Sequence, residues 1–326
     1  MDHYDSPMRI WIDTDIGTDV DDALTLGYVL RHPGFELVGI STVFGDIPLR
    51  NRITRALLAL GGADDVPVLG GLGVPRSERR KGIMLGHEGQ GLLDDADPVL
   101  RLAEEQGGPA RIEAIAAAIE QARPDAVLAI GPLTNLAALA EAGLTLPPLA
   151  IMGGKHGDVM LEDMVARIGE WNWFCDPDAA RLVLDAVVGA TAAPLLVPAE
   201  ITFQTHLDDG DVDLLATDDE LNQAVAVLCE RWLDVQRDDW GRARPRIALH
   251  DPLTAAVLVD KELCRFEPMR LSAADDGSAL DEPGTPNVEL AVDVDAAAVR
   301  ANIMGTLLGS TPGPDGLTWL GRSGNP

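Results

Sequence analysis

Short apolar runs and helical segments alternate along the first two thirds of the chain. The apolar runs, which predict buried strands, lie at residues 9–12, 35–43, 66–70, 125–130, 149–152 and 194–197. Segments that predict helices fall between them, at residues 23–30, 50–60 and 111–123. Strands that alternate with helices favour right-handed βαβ units. The pattern therefore predicts an α/β fold with an open, mostly parallel sheet flanked by helices.

The remainder of the pattern is mainly helical. Residues 220–238 form the longest helical piece, with an apolar face made by Leu221, Ala224, Val225, Leu228, Trp232 and Val235. The segments that follow are a helix opened at residues 250–252, a strand at 287–292 and a closing helix at 296–308. Two long irregular segments, 71–98 and 155–174, have a length typical of functional or disordered loops. No repeat or linker interrupts the chain, which predicts a single domain over residues 1–326.

Composition and charge narrow the function classes. Of 326 residues, 46% are hydrophobic and 24% are charged, as in soluble globular proteins, and no apolar run is long enough for a transmembrane helix. The N-terminus has neither the basic nor the apolar region of a signal peptide. A net charge of −28 disfavours nucleic-acid binding. The three cysteines form no Cys-x-x-Cys pair and indicate free thiols, so we expect a cytoplasmic protein with no nucleic-acid or membrane partner.

Five aspartates, Asp13, Asp15, Asp19, Asp21 and Asp22, lie within ten residues directly after the first predicted strand. They fall where that strand turns into the first helix. Carboxylates this close together repel one another and raise one another's pKa, and a divalent cation relieves the repulsion. Oxygen ligands favour Ca²⁺ or Mg²⁺ over Zn²⁺. The alternative is that one or two of these residues only cap the helix, but a cap needs one carboxylate and not five.

Further polar residues follow the other predicted strands. Asp46 follows the second strand, Thr134 follows the fourth, and Glu170 and Asn172 lie beyond the fifth. In an open parallel sheet, ligands bind outside the carboxyl ends of the strands. If these strands are neighbours in one sheet, the polar residues share one edge with the aspartates, although the spacing alone does not give the strand order.

Taken in order, these motifs resemble those of the nucleoside hydrolases, the inosine–uridine-preferring nucleoside N-ribohydrolase family. The matching pieces are Asp13-Thr14-Asp15-Ile16-Gly17 with Asp21-Asp22-Ala23, Gly45-Asp46, His87-Glu88-Gly89, Gly131-Pro132-Leu133-Thr134-Asn135, Met152-Gly153-Gly154, Glu170-Trp171-Asn172 with Asp176-Pro177, and His250-Asp251-Pro252. They span most of the chain in the family's order, and such a set is far more specific than any single piece. The resemblance implies the Rossmann-like nucleoside hydrolase fold, with the active site at the carboxyl ends of the strands.

The resemblance also implies an activity and a metal site. Family members hydrolyse the N-glycosidic bond of ribonucleosides to free base and ribose, by a Ca²⁺-bound water that an aspartate activates. Carried over by motif, the Ca²⁺ ligands are Asp15, Asp22, the backbone carbonyl of Thr134 and Asp251. Asp15 is also the expected catalytic base, because it lies beside that water. The expected partners are a small nucleoside substrate and further copies of the chain, in a homodimer or homotetramer.

Several residues match family positions that hold the sugar. Asp21 is expected to bind the ribose 2′-hydroxyl, and Glu170 and Asn172 are expected to hold the sugar near its 5′-hydroxyl. Asp46 stands where asparagine is common and adds a carboxylate beside the sugar.

The leaving base has histidine and tryptophan candidates. His250 is the expected catalytic acid and His87 a second candidate for contact with the substrate, since histidine titrates near neutral pH. A single histidine is more often structural, so both interpretations stay open for each. Trp232 and Trp240 are candidates for stacking on the base, although such tryptophans are more often core or loop anchors.

The acidic turn departs from the family's commoner Asp-x-Asp-Pro-Gly-x-Asp-Asp-Ala. Ile16 stands in place of the proline, and two additional residues precede the final pair of aspartates. A longer turn allows Asp19 or Asp21 to replace a predicted ligand. The division of labour among the last three aspartates is therefore open.

Two other interpretations fit parts of the pattern. A haloacid-dehalogenase-type Mg²⁺ phosphatase also has a strand followed by Asp-x-Asp, but Gly17 stands where that signature has threonine or valine, and no lysine is a clear match for its lysine. The other is a non-catalytic protein that binds Ca²⁺ or a nucleoside. An EF-hand loop needs glycine at its sixth position, whereas Gly17 takes the fifth place from Asp13.

Overall fold

The computed structural model describes residues 6–93, 108–160 and 167–309, so residues 94–98 and 161–166 of the two long irregular segments lie outside it. Its strands are β1 (Met8–Thr14), β2 (Phe35–Thr42), β3 (Val68–Gly70), β4 (Ala126–Ala129), β5 (Leu149–Met152), β6 (Lys155–His156), β7 (Leu195–Val197), β8 (His206–Leu207), β9 (Ile247–Ala248), β10 (Cys264–Met269), β11 (Leu271–Ala273), β12 (Ser278–Asp281) and β13 (Val288–Val294).

Helices connect most of these strands. They are α1 (Asp21–Arg31), α2 (Ile47–Leu60), α3 (Gly108–Ala122), α4 (Thr134–Glu141), α5 (Trp171–Cys175), α6 (Pro177–Ala186), α7 (Ala199–Thr202), α8 (Asp209–Leu215), α9 (Glu220–Asp234), α10 (His250–Val259) and α11 (Ala296–Leu307). A π-helical segment, Val235–Asp239, continues α9. No helix among the described residues is both long enough and apolar enough to cross a membrane.

Eight strands form one sheet in the order β3-β2-β1-β4-β5-β7-β13-β10. Its neighbouring strands are parallel except for β10, which is antiparallel to β13. The predicted α/β fold with an open, mostly parallel sheet is therefore confirmed. The chain runs outward from β1 to β3 on one side and from β4 through β5 to β7 on the other, where β13 then lies between β7 and the edge strand β10. In open α/β sheets a ligand binds where the strand order reverses in this way, here outside the carboxyl ends of β1 and β4.

Side chains of β1 alternate between the two faces of the sheet, as strand geometry requires. Ile10 and Ile12 belong to a core that α1, α9, α10 and α11 cover, whereas Trp11 belongs to the core beneath α3, α4 and α6. Because both faces are covered, the central strands are continuous apolar runs in the sequence. The site-forming ends of β1 and β4 thus rest on two buried cores.

The elements differ from the predicted ones at several places; β6 and most of α5, for example, lie within the segment 155–174, for which the pattern predicts an irregular structure. β1 extends to Thr14, so Asp13 lies inside the strand and the expectation that it lies in the turn is wrong. The helix predicted over residues 220–238 ends at Asp234 and gives way to the π-helical segment. The pattern does not predict β10, because this edge strand exposes charged side chains and contains a proline, both of which edge strands tolerate.

Candidate active site

The acidic turn joins β1 to α1 at the carboxyl edge of the sheet. Gly17 in this turn has a φ of +118°, which other residues rarely adopt, and a Cβ there would lie 2.6 Å from Cδ1 of Ile53 on α2. Gly131 follows β4, and a Cβ on it would lie 2.8 Å from the backbone nitrogen of Asp15. These two glycines allow α2 and the end of β4 to approach the turn closely.

Five carboxyl groups meet at this edge. Asp15 follows β1, Asp21 and Asp22 begin α1, and Asp251 lies in the first turn of α10; each is at most 6% exposed. Asp19 is half-buried, and carboxylate oxygens of Asp19, Asp21 and Asp22 lie within 4.8 Å of one another. We call these five residues the acidic cluster. It brings together the three predicted metal-binding side chains and the predicted 2′-hydroxyl ligand from two distant parts of the sequence.

Hydrogen bonds orient part of the acidic cluster and leave one oxygen without a partner. The Thr14 hydroxyl donates to the Asp22 carboxylate, and the backbone nitrogen of Asp251 donates to Oδ2 of Asp21 at 3.3 Å. Oδ1 of Asp21 is buried and has no hydrogen-bond partner among the described residues. A buried, unpartnered oxygen beside other carboxylates is expected where an external ligand binds. The donor set consists of oxygen atoms, which fits a hard divalent cation such as Ca²⁺ or Mg²⁺.

Burial makes ionisation of the four buried members of the acidic cluster costly. It raises the pKa of Asp15 to about 6, although the nearby Arg50 guanidinium opposes the shift. Burial and neighbouring carboxylates raise the pKa values of Asp21, Asp22 and Asp251 well above the usual value for aspartate. A bound divalent cation reverses this effect because it favours the ionised forms. Binding of such a cation is therefore expected to release protons.

Asp13 lies inside β1 and supports the turn. Its Oδ1 accepts hydrogen bonds from the Ser41 hydroxyl and from Nδ2 of Asn135, the latter at 2.8 Å. Its Oδ2 is buried with no partner within the described part of the chain. Burial raises the pKa of Asp13 to about 7. Because Ser41 belongs to β2 and Asn135 to α4, this carboxyl group connects three elements next to the acidic cluster.

A cavity of about 340 Å³ is lined by the acidic cluster and also by aromatic residues. Trp232 and Trp240 line it and meet edge to face, with ring centroids 5.0 Å apart. Gln236, in the π-helical segment, lines it too; its Oε1 accepts a hydrogen bond from Arg242 and its Nε2 donates to the Arg246 carbonyl, each at 2.9 Å. One cavity thus combines anionic groups with aromatic rings and hydrogen-bond donors, a combination suited to a sugar joined to a planar base.

His250 begins α10, one residue before Asp251, and lines the cavity. Its Nδ1 lies 2.5 Å from the hydroxyl oxygen of Thr202. Its ring meets Phe203 edge-on, with centroids 4.5 Å apart. The contacts with Thr202 and Phe203 therefore fix the orientation of the imidazole before substrate binds.

Glu170 and Asn172 line the same cavity. Glu170 caps α5, and its carboxylate accepts hydrogen bonds from three backbone nitrogens at 2.6–2.9 Å. Burial raises the pKa of Glu170 to about 7 against the effect of these hydrogen bonds. Nδ2 of Asn172 donates to the carbonyls of Ile130 and Met152, at 3.1 and 3.4 Å, and so links the ends of β4 and β5.

Thr134 and Asp46 are described residues that do not line the cavity. Thr134 begins α4, and its hydroxyl donates to Asp176 at 2.7 Å. Asp46 is exposed and caps α2, where its carboxylate accepts a hydrogen bond of 3.0 Å from the backbone nitrogen of Leu49. Both residues therefore have local structural partners in place of contacts in the cavity.

His87 also stays outside the cavity lining, although it contacts two residues that form it. Its Nε2 lies 2.5 Å from the carbonyl oxygen of Thr18 in the acidic turn. Its ring stacks on Trp232, with centroids 5.7 Å apart. His87 thus lies against the wall of the cavity.

Sequence reasoning missed Ile130 and Arg50. Ile130 follows β4 and lines the cavity, and its carbonyl accepts a hydrogen bond from Asn172. A backbone group of this kind has no residue-type signature. Arg50 is 0% exposed on α2, and its Nη2 lies 3.8 Å from Oδ2 of Asp15. A signal was present: Arg50 occupies the buried stripe of α2 together with Ile47, Ile53 and Leu57, where a charge is out of place unless it has a partner.

Residues 10–301 match the protein family described as inosine-uridine preferring nucleoside hydrolase. A pyrimidine-specific ribonucleoside hydrolase of Shewanella baltica (strain OS185) is 30% identical over 273 residues, which cover 78% of this chain and 79% of the relative. A probable uridine nucleosidase of Oryza sativa subsp. japonica is 25% identical over 268 residues, or 79% of each chain. These matches do not favour the phosphatase or binding-protein alternatives.

Solved structures share the fold. A purine-preferring ribonucleoside hydrolase from Gardnerella vaginalis superposes with a TM-score of 0.74 at 22% identity, covering 93% of this chain and 98% of the other. An inosine-guanosine nucleoside hydrolase superposes with a TM-score of 0.73 at 21% identity, covering 92% and 98%. Matched in sequence and in fold over most of its length, the chain belongs to the inosine-uridine preferring nucleoside hydrolase family, and is a hydrolase that acts on N-glycosyl compounds.

Proposed function

We propose that the chain releases free base and ribose from ribonucleosides at the cavity described above, with Ca²⁺ held by the acidic cluster. One observation carries the proposal: buried carboxylates and aromatic rings with hydrogen-bond donors line the same cavity. The carboxylates suit ribose hydroxyls, and the rings suit a planar base. Cleavage of the N-glycosidic bond passes through an oxocarbenium-like transition state, whose positive charge nearby carboxylates stabilise.

Asp15, Asp22 and Asp251 are the proposed carboxylate ligands of the ion. Ca²⁺ takes roughly six to eight oxygen ligands in flexible geometry, which suits a cluster with Asp19 and Asp21 beside these three. For the backbone ligand we favour the carbonyl of Ile130 over that of Thr134, because Ile130 lines the cavity and Thr134 does not. When bound, the ion supplies a Lewis acid that makes a coordinated water more acidic.

Asp15 is the proposed general base. Although its pKa is raised to about 6, its carboxylate is mostly ionised at neutral pH, and a bound cation would lower that pKa. The carboxylate can therefore accept the proton of the attacking water. Asp21 is the proposed partner of the ribose 2′-hydroxyl. Its Oδ1, unpartnered among the described residues, is available to accept that hydrogen bond.

Glu170 and Asn172 are the proposed contacts for the 5′ end of the sugar. The three backbone hydrogen bonds on Glu170 orient its carboxylate before substrate binds, which lowers the entropic cost of binding. We assign no substrate contact to Asp46 or His87, because neither lines the cavity.

His250 is the proposed acid for the leaving base. Its imidazole lines the cavity, and its Nδ1 lies against the Thr202 hydroxyl, which orients the ring. Trp232 and Trp240 are the proposed stacking partners of the base.

Release of ribose from a panel of nucleosides tests the activity. Because the relatives include a pyrimidine-specific hydrolase and a probable uridine nucleosidase, uridine and cytidine come first, followed by inosine and adenosine. A 2′-deoxyriboside is the control for the 2′-hydroxyl contact, and a phosphate-ester panel controls for phosphatase activity. Ribose release that fails for every nucleoside in the presence of Ca²⁺ would refute the proposal.

We also expect a cytoplasmic enzyme that assembles as a homodimer or homotetramer. All three cysteines are free and buried, which suits a reducing compartment. The oligomeric expectation rests on the family resemblance, and light scattering on the purified protein measures it directly.

A further inference from the structure

A buried guanidinium lies beside the acidic turn. Arg50 is on α2 and its side chain is 0% exposed. A charge that is removed from water is costly unless hydrogen-bond acceptors surround it. The identity of those acceptors therefore shows which segment of the chain Arg50 binds.

The hydrogen bonds of Arg50 lead to the acidic turn and to the end of β2. Its Nε donates to the carbonyl of Phe44, just after β2. Its Nη1 donates to the carbonyl of Ile16 at 2.8 Å, and its Nη2 donates to the hydroxyl of Thr18 at 3.2 Å. The same Nη2 lies 3.8 Å from Oδ2 of Asp15. One planar group thus contacts three of the four residues from 15 to 18.

This turn has a particular need for such a contact. Six residues, 15–20, connect β1 to α1, and none of them is a proline that would restrict the backbone. A longer turn without proline has more conformations to lose on folding. Arg50 offsets that cost because the two terminal nitrogens of its guanidinium bind the turn at Ile16 and at Thr18.

We propose that Arg50 is a positioning residue that holds the acidic turn, and Asp15 with it, in the geometry needed for the cation and for catalysis. The inference rests on the proposed function for its catalytic part only. Arg50 touches neither the substrate nor the reacting atoms, since it does not line the cavity.

A role of Arg50 through its geometry and a role through its charge alone predict opposite changes in Ca²⁺ affinity when the residue is replaced. If Arg50 acted only through its charge, it would repel a divalent cation, and its removal would tighten Ca²⁺ binding. If it acts as a fork, lysine cannot replace it, because an ammonium is a point charge that does not span three acceptors. The geometric role therefore predicts weaker Ca²⁺ binding in both Arg50→Lys and Arg50→Met.

The experiment compares these two variants with Arg55→Lys. Arg55 lies on the same helix and donates to a backbone carbonyl, that of Val68, at 3.0 Å, so it is a matched control for loss of a guanidinium contact. Calorimetric titration of the ion-free proteins with Ca²⁺ gives the affinity, and initial rates at saturating Ca²⁺ give kcat and KM separately. Both Arg50 variants are expected to bind Ca²⁺ about 10- to 100-fold more weakly, with a similar loss in kcat and a smaller change in KM.

Thr18→Val provides a second route if the Arg50 variants fold poorly. It removes one acceptor of the fork and leaves Arg50 in place, so a smaller loss of Ca²⁺ affinity is expected. In the double variant with Arg50→Lys, the two losses are expected to be less than additive, because they share one contact.

The outcomes separate this inference from the proposed function. The positioning role would be overturned if Arg50→Lys had the same Ca²⁺ affinity and kcat as Arg55→Lys. It would also be overturned if Arg50→Met bound Ca²⁺ more tightly than the wild type. Wild-type protein that binds Ca²⁺ but releases no ribose would refute the proposed activity alone, because the affinities still test Arg50. Wild-type protein that does not bind Ca²⁺ would overturn both.

Discussion

Replacing Asp13 with asparagine removes a carboxyl group that the fold keeps protonated up to about neutral pH. Burial raises the pKa of Asp13 from 3.8 to about 7. Between these two values the folded protein holds a proton that the unfolded chain has released, so this group makes the free energy of unfolding fall as the pH rises. The shift of about three units corresponds to a loss of about 4 kcal/mol, complete once the pH exceeds the folded-state pKa.

Asp13→Asn keeps the shape and an oxygen that accepts from Ser41 and Asn135, but it does not titrate. The free energy of unfolding of the variant minus that of the wild type is therefore expected to rise by about 4 kcal/mol between about pH 4 and pH 8. Taking the difference cancels the contributions of the other titrating groups, apart from any coupling to Asp15. A loss of this size is a large fraction of the stability of an ordinary domain.

Urea unfolding of both proteins at several pH values measures this difference, after treatment with a chelating resin to remove divalent ions. Linear extrapolation gives the free energies, and equal m-values show that both proteins undergo the same transition. Asp65→Asn, at an exposed residue, controls for the change in net charge. A difference that stays constant or decreases as the pH rises would refute the reasoning.

Three further predictions concern catalysis. Asp15→Asn is expected to lower kcat by at least about 100-fold with an unchanged circular dichroism spectrum, because the base is lost; near-normal ribose release would contradict this role. Removing Ca²⁺ is expected to abolish activity and adding it back to restore it, and full activity in the metal-free protein would exclude the ion from the reaction. His250→Ala is expected to slow inosine hydrolysis far more than that of nitrophenyl riboside, whose leaving group needs no proton; equal losses on both would argue against a catalytic acid.

The central strands could be predicted because they are buried on both faces and appear as apolar runs, as in β4 and β5. The order of these strands in the sheet could not be predicted, because it depends on pairing between residues far apart in sequence, such as Ile10 with Ala126. The break between α9 and the π-helical segment also escaped prediction. The apolar face continues through Val235, so the pattern gives no sign that the helix widens there.

The site was predictable where its chemistry lies in side chains that are close in sequence. Asp15, Asp21 and Asp22 are neighbours along the chain, and their crowding alone predicts a cation. Asp251 is distant, and only the resemblance connected it with them. The carbonyl of Ile130, which we propose as the backbone ligand, leaves no trace in composition or spacing, because a backbone group can come from any residue type.

His87 illustrates how a residue can match a motif and still lie outside the lining of the cavity. Its Nε2 faces the Thr18 carbonyl, which can only accept, so in the neutral imidazole this nitrogen carries the proton and donates it. The hydroxyl of the same Thr18 accepts from Arg50. Two separate donors thus fix one residue of the longer turn, one through its backbone and one through its side chain. Since the ring of His87 also stacks on Trp232, it connects the turn that holds the acidic cluster to the aromatic wall of the cavity.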